Sequence, residues 1–443
     1  MSLRFDPRLL ISGPFKTCPD CGAEEFGILG VGHEMYRRRC RACWFKAHVG
    51  LPPLSRKVVY IDQFAISDMM KTLNAEHPHH AEAAANSFWR ELFEALEAVV
   101  KRQLVICPDS DIHSHESAVS GWYEDLKLLY EHFSHGVSFN STDEIAQRQL
   151  NIALLAWLDK KAPEYNFDAE RVTHGAQGGI HDWMDRFIIS VSGEYPAFLV
   201  EAFRKFRDEV HVKIRALFEE ELRATPHKDF EYWFKREREV GGRAILQARW
   251  LYEKRMHEMA TGLVPFTYEN VYQSNGLDQF NLIIEVLKAR GLPDDDLVPT
   301  LKAFLASDKF KDYPMSRITT LVWAAIGQAA ANGQKEPPNA GTSNDIRVLS
   351  LAPYCDAMFV DNGCRALWMK IPTKYRQPYK AKMFSYSTRQ EFLAYLRDIQ
   401  DHADPAIVEC VHQVYGEPAP FFTMYEYDRN RRKRDKDARE QEG

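Results

Sequence analysis

No stretch of this sequence stays apolar for long enough to cross a bilayer. The longest candidate, Leu321 to Ala331, carries Gln328 and is about half of the roughly 20 residues a spanning helix needs. An apolar signal region is also lacking at the front, where Met1 to Leu10 include Arg4, Asp6 and Arg8. A cytoplasmic protein with no membrane partner is the expectation. Positive charge is not in excess: the net charge is −6, so nothing pulls the whole chain towards nucleic acid, and any such binding has to come from a local patch. Cysteine is scarce, with eight in 443 residues. Cys107, Cys355, Cys364 and Cys410 are scattered, and in a reducing compartment they read as small buried hydrophobes. What remains is ordinary for a globular chain, 45% hydrophobic and 27% charged, with length for two or three domains.

The other four cysteines are ordered. Cys18 and Cys21 form one C-x2-C pair, and Cys40 and Cys43 form a second after a spacer suited to a hairpin. Two such knuckles present four thiolates to one Zn²⁺, and a four-thiolate shell is closed, which makes the expected zinc structural and not catalytic. The motif resembles zinc ribbons. Around the second knuckle lie Arg37, Arg38, Arg39 and Arg41, with Trp44 and Phe45 beside them. Two readings stand for this patch: phosphate contacts with base stacking, or a solvated basic edge whose aromatics pack on the metal core.

A second set of residues points to chemistry. Val58 to Ile61 run into Asp62, Leu104 to Cys107 run into Pro108, and Ala357 to Val360 run into Asp361. Short apolar runs bounded by turn residues predict buried parallel strands. Ligands of open α/β sheets bind outside the carboxyl ends of such strands. Acids delivered there repel one another unless a cation sits between them, which points to Mg²⁺ or Mn²⁺. Ser110 is a plausible N-cap for a helix running through Glu116 to Leu129, with His113 on roughly the same face. Asp109 and Asp111 compete with Glu116 as ligands, and His113 reads either as a group that positions a phosphate or as a structural residue. Asp345 opens a helix through Leu351, either offsetting its dipole or standing at the rim of the same crevice.

Between Tyr130 and Asp312 the pattern is mostly helical. The loop Gly175 to Gly179 has no following Lys-Ser/Thr and no expected strand before it, so it does not qualify as a phosphate loop. His181-Asp182 lacks the further histidines of an HD hydrolase site, and His77-Pro78-His79-His80 reads as a loop. The end of the chain from Arg429 is charged and nearly free of apolar residues, so it is expected to be disordered.

Taken together, Tyr60 to Ser67, Ser110 to Glu116, and Asp345 with Tyr354 to Asn362 resemble the PIN-domain nucleases. That resemblance implies an α/β, PIN-like three-layer core with a central parallel sheet. Asp62, Glu116, Asp345 and Asp361 would hold one or two divalent ions and carry catalysis. Gln63-Phe64 in place of a common Thr-Asn, Val360 in place of a frequent Thr, and the long middle region depart from the pattern. The expected organisation is a zinc ribbon over 1–50, core segments over 56–129 and 313–425 separated by a helical insertion over 130–312, and a charged tail over 426–443. The expected activity is metal-dependent hydrolysis of phosphodiester bonds, with single-stranded RNA as substrate. A DNA nuclease and a non-catalytic nucleic-acid-binding or adaptor protein are the alternatives. An inhibitory or activating protein partner is also open, and the sequence does not address the oligomeric state.

Overall fold

A computed structural model describes residues 6–184 (apart from 76, 119, 176 and 177), 215–267 (apart from 227 and 228) and 274–416 (apart from 335, 336 and 338–340). It also describes 201, 212, 426, 430, 431 and 434. The expected tail over 426–443 lies largely outside these residues.

The chain is mixed α/β. Strands β1 (Ser12–Lys16), β2 (Phe26–Val31), β3 (Met35–Cys40) and β4 (Lys46–Gly50) form an antiparallel sheet in that order. A second sheet holds β5 (Lys57–Ile61), β6 (Val105–Ile106), β9 (Ala357–Phe359) and β10 (Lys382–Phe384), ordered β10-β9-β5-β6, with every pairing parallel. The three runs expected to pair in one parallel sheet therefore do so.

Side-chain alternation explains why this sheet is buried on both faces. Val58, Tyr60, Met358 and Val360 enter one apolar cluster, while Val59, Ile61, Ala357 and Phe359 enter another on the opposite side. Helices Gln63–Leu73, Ser87–Lys101, Tyr123–Ser134 and Arg389–Asp401 cover the second face. Helices Phe230–Arg238, Pro314–Ala331, Thr342–Leu349 and Asn362–Lys370 cover the first. Each fully buried Val, Phe or Leu here contributes about 1.5–3 kcal/mol by leaving water. The Pro314–Ala331 helix fits closely because a Cβ on Gly327 would lie 2.4 Å from the ring of buried Trp233. Helices Thr142–Leu158, Val240–Ala260, Asn275–Ala289 and Asp294–Ala306 build a third core around Leu154, Leu301 and Phe304.

Several elements differ from the sequence expectation. The helix expected from Ser110 to Leu129 is two, Asp111–Ala118 and Tyr123–Ser134, and Trp122 between them packs on His77 and His80. Phe88, Leu92, Leu96 and Val99 recur at helical spacing in a run from Ala81 to Lys101, which reads as one helix. The structure interrupts it at Asn86, which caps the second piece through Phe88 N–H and donates to the Tyr386 hydroxyl. The stretch 130–312 is not all helical. After left-handed His135 and Gly136 end a helix, β7 (Val137–Phe139) pairs antiparallel with β8 (Thr173–Gly175). β7 also exchanges backbone hydrogen bonds with Asp109, at 3.0 and 2.8 Å, so residues 130–140 pack with the sheet core. A strand thus does precede Gly175; Ala176 and Gln177 of that loop lie outside the described residues.

Candidate metal centres

Asp62 and Asp361 follow adjacent parallel strands, in register with Ile61 opposite Phe359. Each ends its strand and starts a helix. Asp62 Oδ1 accepts from Gln63 N–H at 2.7 Å, and Asp361 Oδ1 accepts from Cys364 N–H at 2.8 Å. An Asp at this N-cap position satisfies an otherwise orphaned amide, which is why strand, acid and helix follow in that order twice. The two are tied directly: Asp361 N–H donates to Asp62 Oδ2 at 3.3 Å. Both capping oxygens face the positive end of a helix.

Glu116 arrives from the Asp111–Ala118 helix and Asp345 from the first turn of Thr342–Leu349. Asn344 Nδ2 donates to Glu116 Oε1 at 2.7 Å, joining these two helices beside the strand ends. A second tie, Arg347 to Asp111 at 2.6 Å, fixes their relative position.

The four acids share one electrostatic environment. Burial, then the charges of Glu116 and Asp361, push the Asp62 carboxyl up to about 7; the His113 ring and the Gln63 amide act against the rise. Burial, then Asp361, Asp62 and Glu116, push Asp345 up to about 8. Burial also raises Glu116, against the hydrogen bond from Asn344 and the charges of His113 and Arg347. Crowded, desolvated carboxylates resist ionisation, and a divalent cation between them reverses that preference. Oxygen-only donors suit Mg²⁺ or Mn²⁺. No three of these acids bring carboxylate oxygens within 4.8 Å of one another; among the described residues only the four cysteines form so tight a group. An open set of carboxylates fits Mg²⁺, which keeps several waters and uses few protein ligands.

The rivals have other partners. Asp109 Oδ1 accepts from Ser110 N–H and contacts His113 Nδ1 at 2.9 Å. Asp111 holds Arg347 and the Thr142 amide. His113 is 2% exposed and stacks between the rings of Tyr60 and Tyr130, with centroids 4.8 and 4.6 Å away. Placed there, it has no surface with which to meet nucleic acid, which corrects the phosphate-positioning reading. His181 accepts the Arg56 amide and Asp182 contacts His33, so this dipeptide pins the chain and does not assemble a hydrolase site. His80 is buried, with Nδ1 3.0 Å from the Asn74 carbonyl, within a short 3₁₀ turn.

The four N-terminal cysteines do converge. Cys18 and Cys43 sulfurs lie 3.6 Å apart, Cys21 and Cys40 sulfurs 3.7 Å, and all four ligand atoms are within 4.8 Å of one another. A tetrahedron with metal–sulfur bonds of about 2.3 Å has edges of about 3.8 Å. The thiols therefore fit a metal such as zinc. The knuckles repeat one geometry: Gly22 N–H donates to Cys18 O and Trp44 N–H to Cys40 O, with both residues at positive φ, 74° and 65°.

The arginine patch divides. Arg38 is buried and donates to the carbonyls of Pro14, Phe26 and Gln413, so it holds the ribbon together and is closed to nucleic acid. Arg41 donates to the Ile11 carbonyl, pairs with Glu25 at 3.8 Å and lies over the Phe15 ring. Arg39 is half-buried over Trp44, and Arg37 is exposed.

Sequence reading missed Asn344 and Arg347. Asn344 adjoins Asp345 in the sequence, but nothing local shows that its amide reaches Glu116, 228 positions earlier. Among the described residues, no helix is long and apolar enough to cross a membrane. Compared with family models, with curated proteins and with solved structures, the chain matches none.

Proposed function

We propose that this protein is a PIN-like, metal-dependent endonuclease that hydrolyses phosphodiester bonds in single-stranded RNA. The observation that carries this reading is the pair Asp62 and Asp361 at the ends of adjacent parallel strands, with Glu116 and Asp345 on neighbouring helices near enough to act on their ionisation. Two of them, Asp62 and Asp345, are pushed to about 7 and about 8 by burial and mutual repulsion. A site built at that cost to ionisation is suited to a cation and, with it, to an anionic substrate.

In this reading Asp62, Glu116, Asp345 and Asp361 hold Mg²⁺ or Mn²⁺, and the ion supplies an activated water and stabilisation of the leaving oxygen. Asp62 accepts the Gln63 amide on one oxygen and the Asp361 amide on the other, and Asp361 accepts the Cys364 amide on Oδ1, so neither carboxylate is free to rotate. Asn344 does the same for Glu116. The carboxylates themselves repel the phosphodiester until they are neutralised, so binding in a productive pose depends on the cation. Zinc in the four-cysteine site is structural, because its four thiolates leave no position for water or substrate.

The test is cleavage of labelled single-stranded RNA by purified protein with Mn²⁺ or Mg²⁺. Chelation stops cutting, restoring Mg²⁺ recovers it, and Asp62→Asn abolishes it while the fold persists. Wild type and Asp62→Asn equally inactive on single-stranded and structured RNA and DNA, with the metal shown to be bound, would replace this reading with a non-catalytic binding protein. Cutting of DNA alone would move the substrate class.

A further inference from the structure

We propose that the outer face of the β3–β4 hairpin docks single-stranded RNA, through the cations of Arg37, Arg39 and Lys46 and the ring of Trp44. Register decides which residues share this face. Tyr36 pairs with Val49 and Arg38 with Ala47, and these turn inward. Tyr36 and Val49 pack with Ile407, Val411 and Val414 of the Pro405–Tyr415 helix, and Ala47 packs on the cysteine knuckles. The intervening pairs, Arg37 with His48 and Arg39 with Lys46, therefore face away from the protein. Arg37, Lys46 and His48 are exposed.

Two features of this face suit it to a ligand. First, Arg39 and Lys46 stand directly opposite one another across the ladder, an arrangement that like charges make unfavourable. Among the described residues none of Arg37, Arg39, Lys46 and His48 is in an ion pair, in a chain whose net charge is −6. The inward Arg38, by contrast, has three carbonyl acceptors. Secondly, Trp44 takes the left-handed conformation that glycine takes at the matching position of the first knuckle, φ 65° against 74° at Gly22. A bulky residue there is strained. Its ring lies 4.5 Å from the Arg39 guanidinium and 5.7 Å from that of Arg8. An unneutralised row of cations beside a fixed aromatic ring matches a phosphate backbone with unpaired bases, since the cations follow the phosphates and the ring stacks on a base. An acidic peptide would use the charge but not the ring. The choice of RNA rests on the nuclease reading; the surface itself does not.

The experiment measures binding of a fluorescein-labelled 20-nucleotide single-stranded RNA to the full chain by anisotropy, across a salt series. It uses an Asp62→Asn background without added Mg²⁺ or Mn²⁺, so that cutting plays no part and failure of the nuclease reading leaves the measurement intact. Replacing Arg37 and Lys46 together with Ala should weaken binding about tenfold or more. At about 0.7 per phosphate contact, it should also make the slope of log K against log salt shallower by about 1.4. Trp44→Gly keeps the backbone conformation, retains zinc and weakens RNA binding with little change in slope. Unchanged affinity and slope in the double variant would overturn the proposal. Poly-glutamate competing as well as RNA would assign the face to an acidic protein instead, and single-stranded DNA bound in preference to RNA would refute the choice of RNA.

Discussion

The two candidate metal centres are built in opposite ways. The cysteine site takes all its ligands from 26 consecutive residues, Cys18 to Cys43, and its sulfurs are drawn to 3.6 and 3.7 Å in pairs. The acid site would take its ligands from positions as far apart as Asp62 and Asp361, no three of them within 4.8 Å of one another, and the carboxylates repel one another. In the first, two tight turns and the strand pairing between them dictate the geometry. In the second, a parallel sheet dictates it: β5 and β9 pair, and their ends bring Asp62 and Asp361 together. Local closure suits a rigid closed shell. Assembly from distant strands suits an open one, with room for water and substrate.

The largest expected effect separates the two sites by function. Asp361→Asn should lower RNA cleavage at least 10²-fold, the scale of losing a group that stabilises charge in the transition state, while zinc content and fold are retained. Asp345→Asn should do the same, and Glu116→Gln somewhat less. Retained cleavage in Asp361→Asn would sink the equivalence of the four acids.

Cys40→Ser should act on structure. Structural zinc contributes on the order of 10 kcal/mol to small zinc-dependent folds. The ribbon does not stand alone here, because Ile28, Val31 and Tyr36 share a core with Leu54, Trp183 and the Pro405–Tyr415 helix. Unfolding should therefore reach that helix. In hydrogen exchange, amides of β3 and of residues 405–415 should lose protection together, while those of β5 and β9 keep theirs. Protection lost in β3 alone would make the ribbon the independent module that its sequence suggests.

Stability should report the acids through pH. Asp62 and Asp345 titrate at about 7 and about 8 in the folded protein against 3.8 ordinarily. Raised values mean that the folded state keeps protons which the unfolded state releases. The associated stability is complete below about pH 4 and is lost as pH rises to about 8. Mg²⁺ should then raise Tm more at pH 8 than at pH 5. Without Mg²⁺, Asp345→Asn should be more stable than wild type at pH 8 by roughly 1–3 kcal/mol, and equal to it near pH 4. Superimposable Tm curves across this range would show that the carboxylates do not repel as described.

The smallest effect concerns Asn344. Asn344→Ala frees Glu116 to rotate, so the Mg²⁺ concentration for half-maximal cleavage should rise several-fold with less change in kcat at saturating Mg²⁺. Equal losses at all Mg²⁺ concentrations would point to a general disturbance of the Thr342–Leu349 helix.

Legibility in the sequence followed the range of the interactions. The strands ending at Asp62, Cys107 and Asp361 were readable because apolar runs closed by turn residues are a local signal. The break at Asn86 was not, because it depends on a hydrogen bond to Tyr386, 300 positions away. The all-helical reading of 130–312 missed β7 and β8, three residues each, since so short a strand forms only where a partner backbone already runs alongside. The tail over 426–443 lies largely outside the described residues.

By itself the sequence determined the cysteine site, because C-x2-C knuckles fold on their own turns, and it determined which acids end strands. Only the tertiary structure gave Glu116, Asp109 and Asp111 their partners, Asn344, His113 and Arg347, side chains whose reach no local pattern encodes. It alone turned Arg38 inward and left Arg37 outward, because side-chain direction in a strand alternates and the packed face is set by the Pro405–Tyr415 helix, whose Gln413 carbonyl accepts from Arg38 across 375 positions.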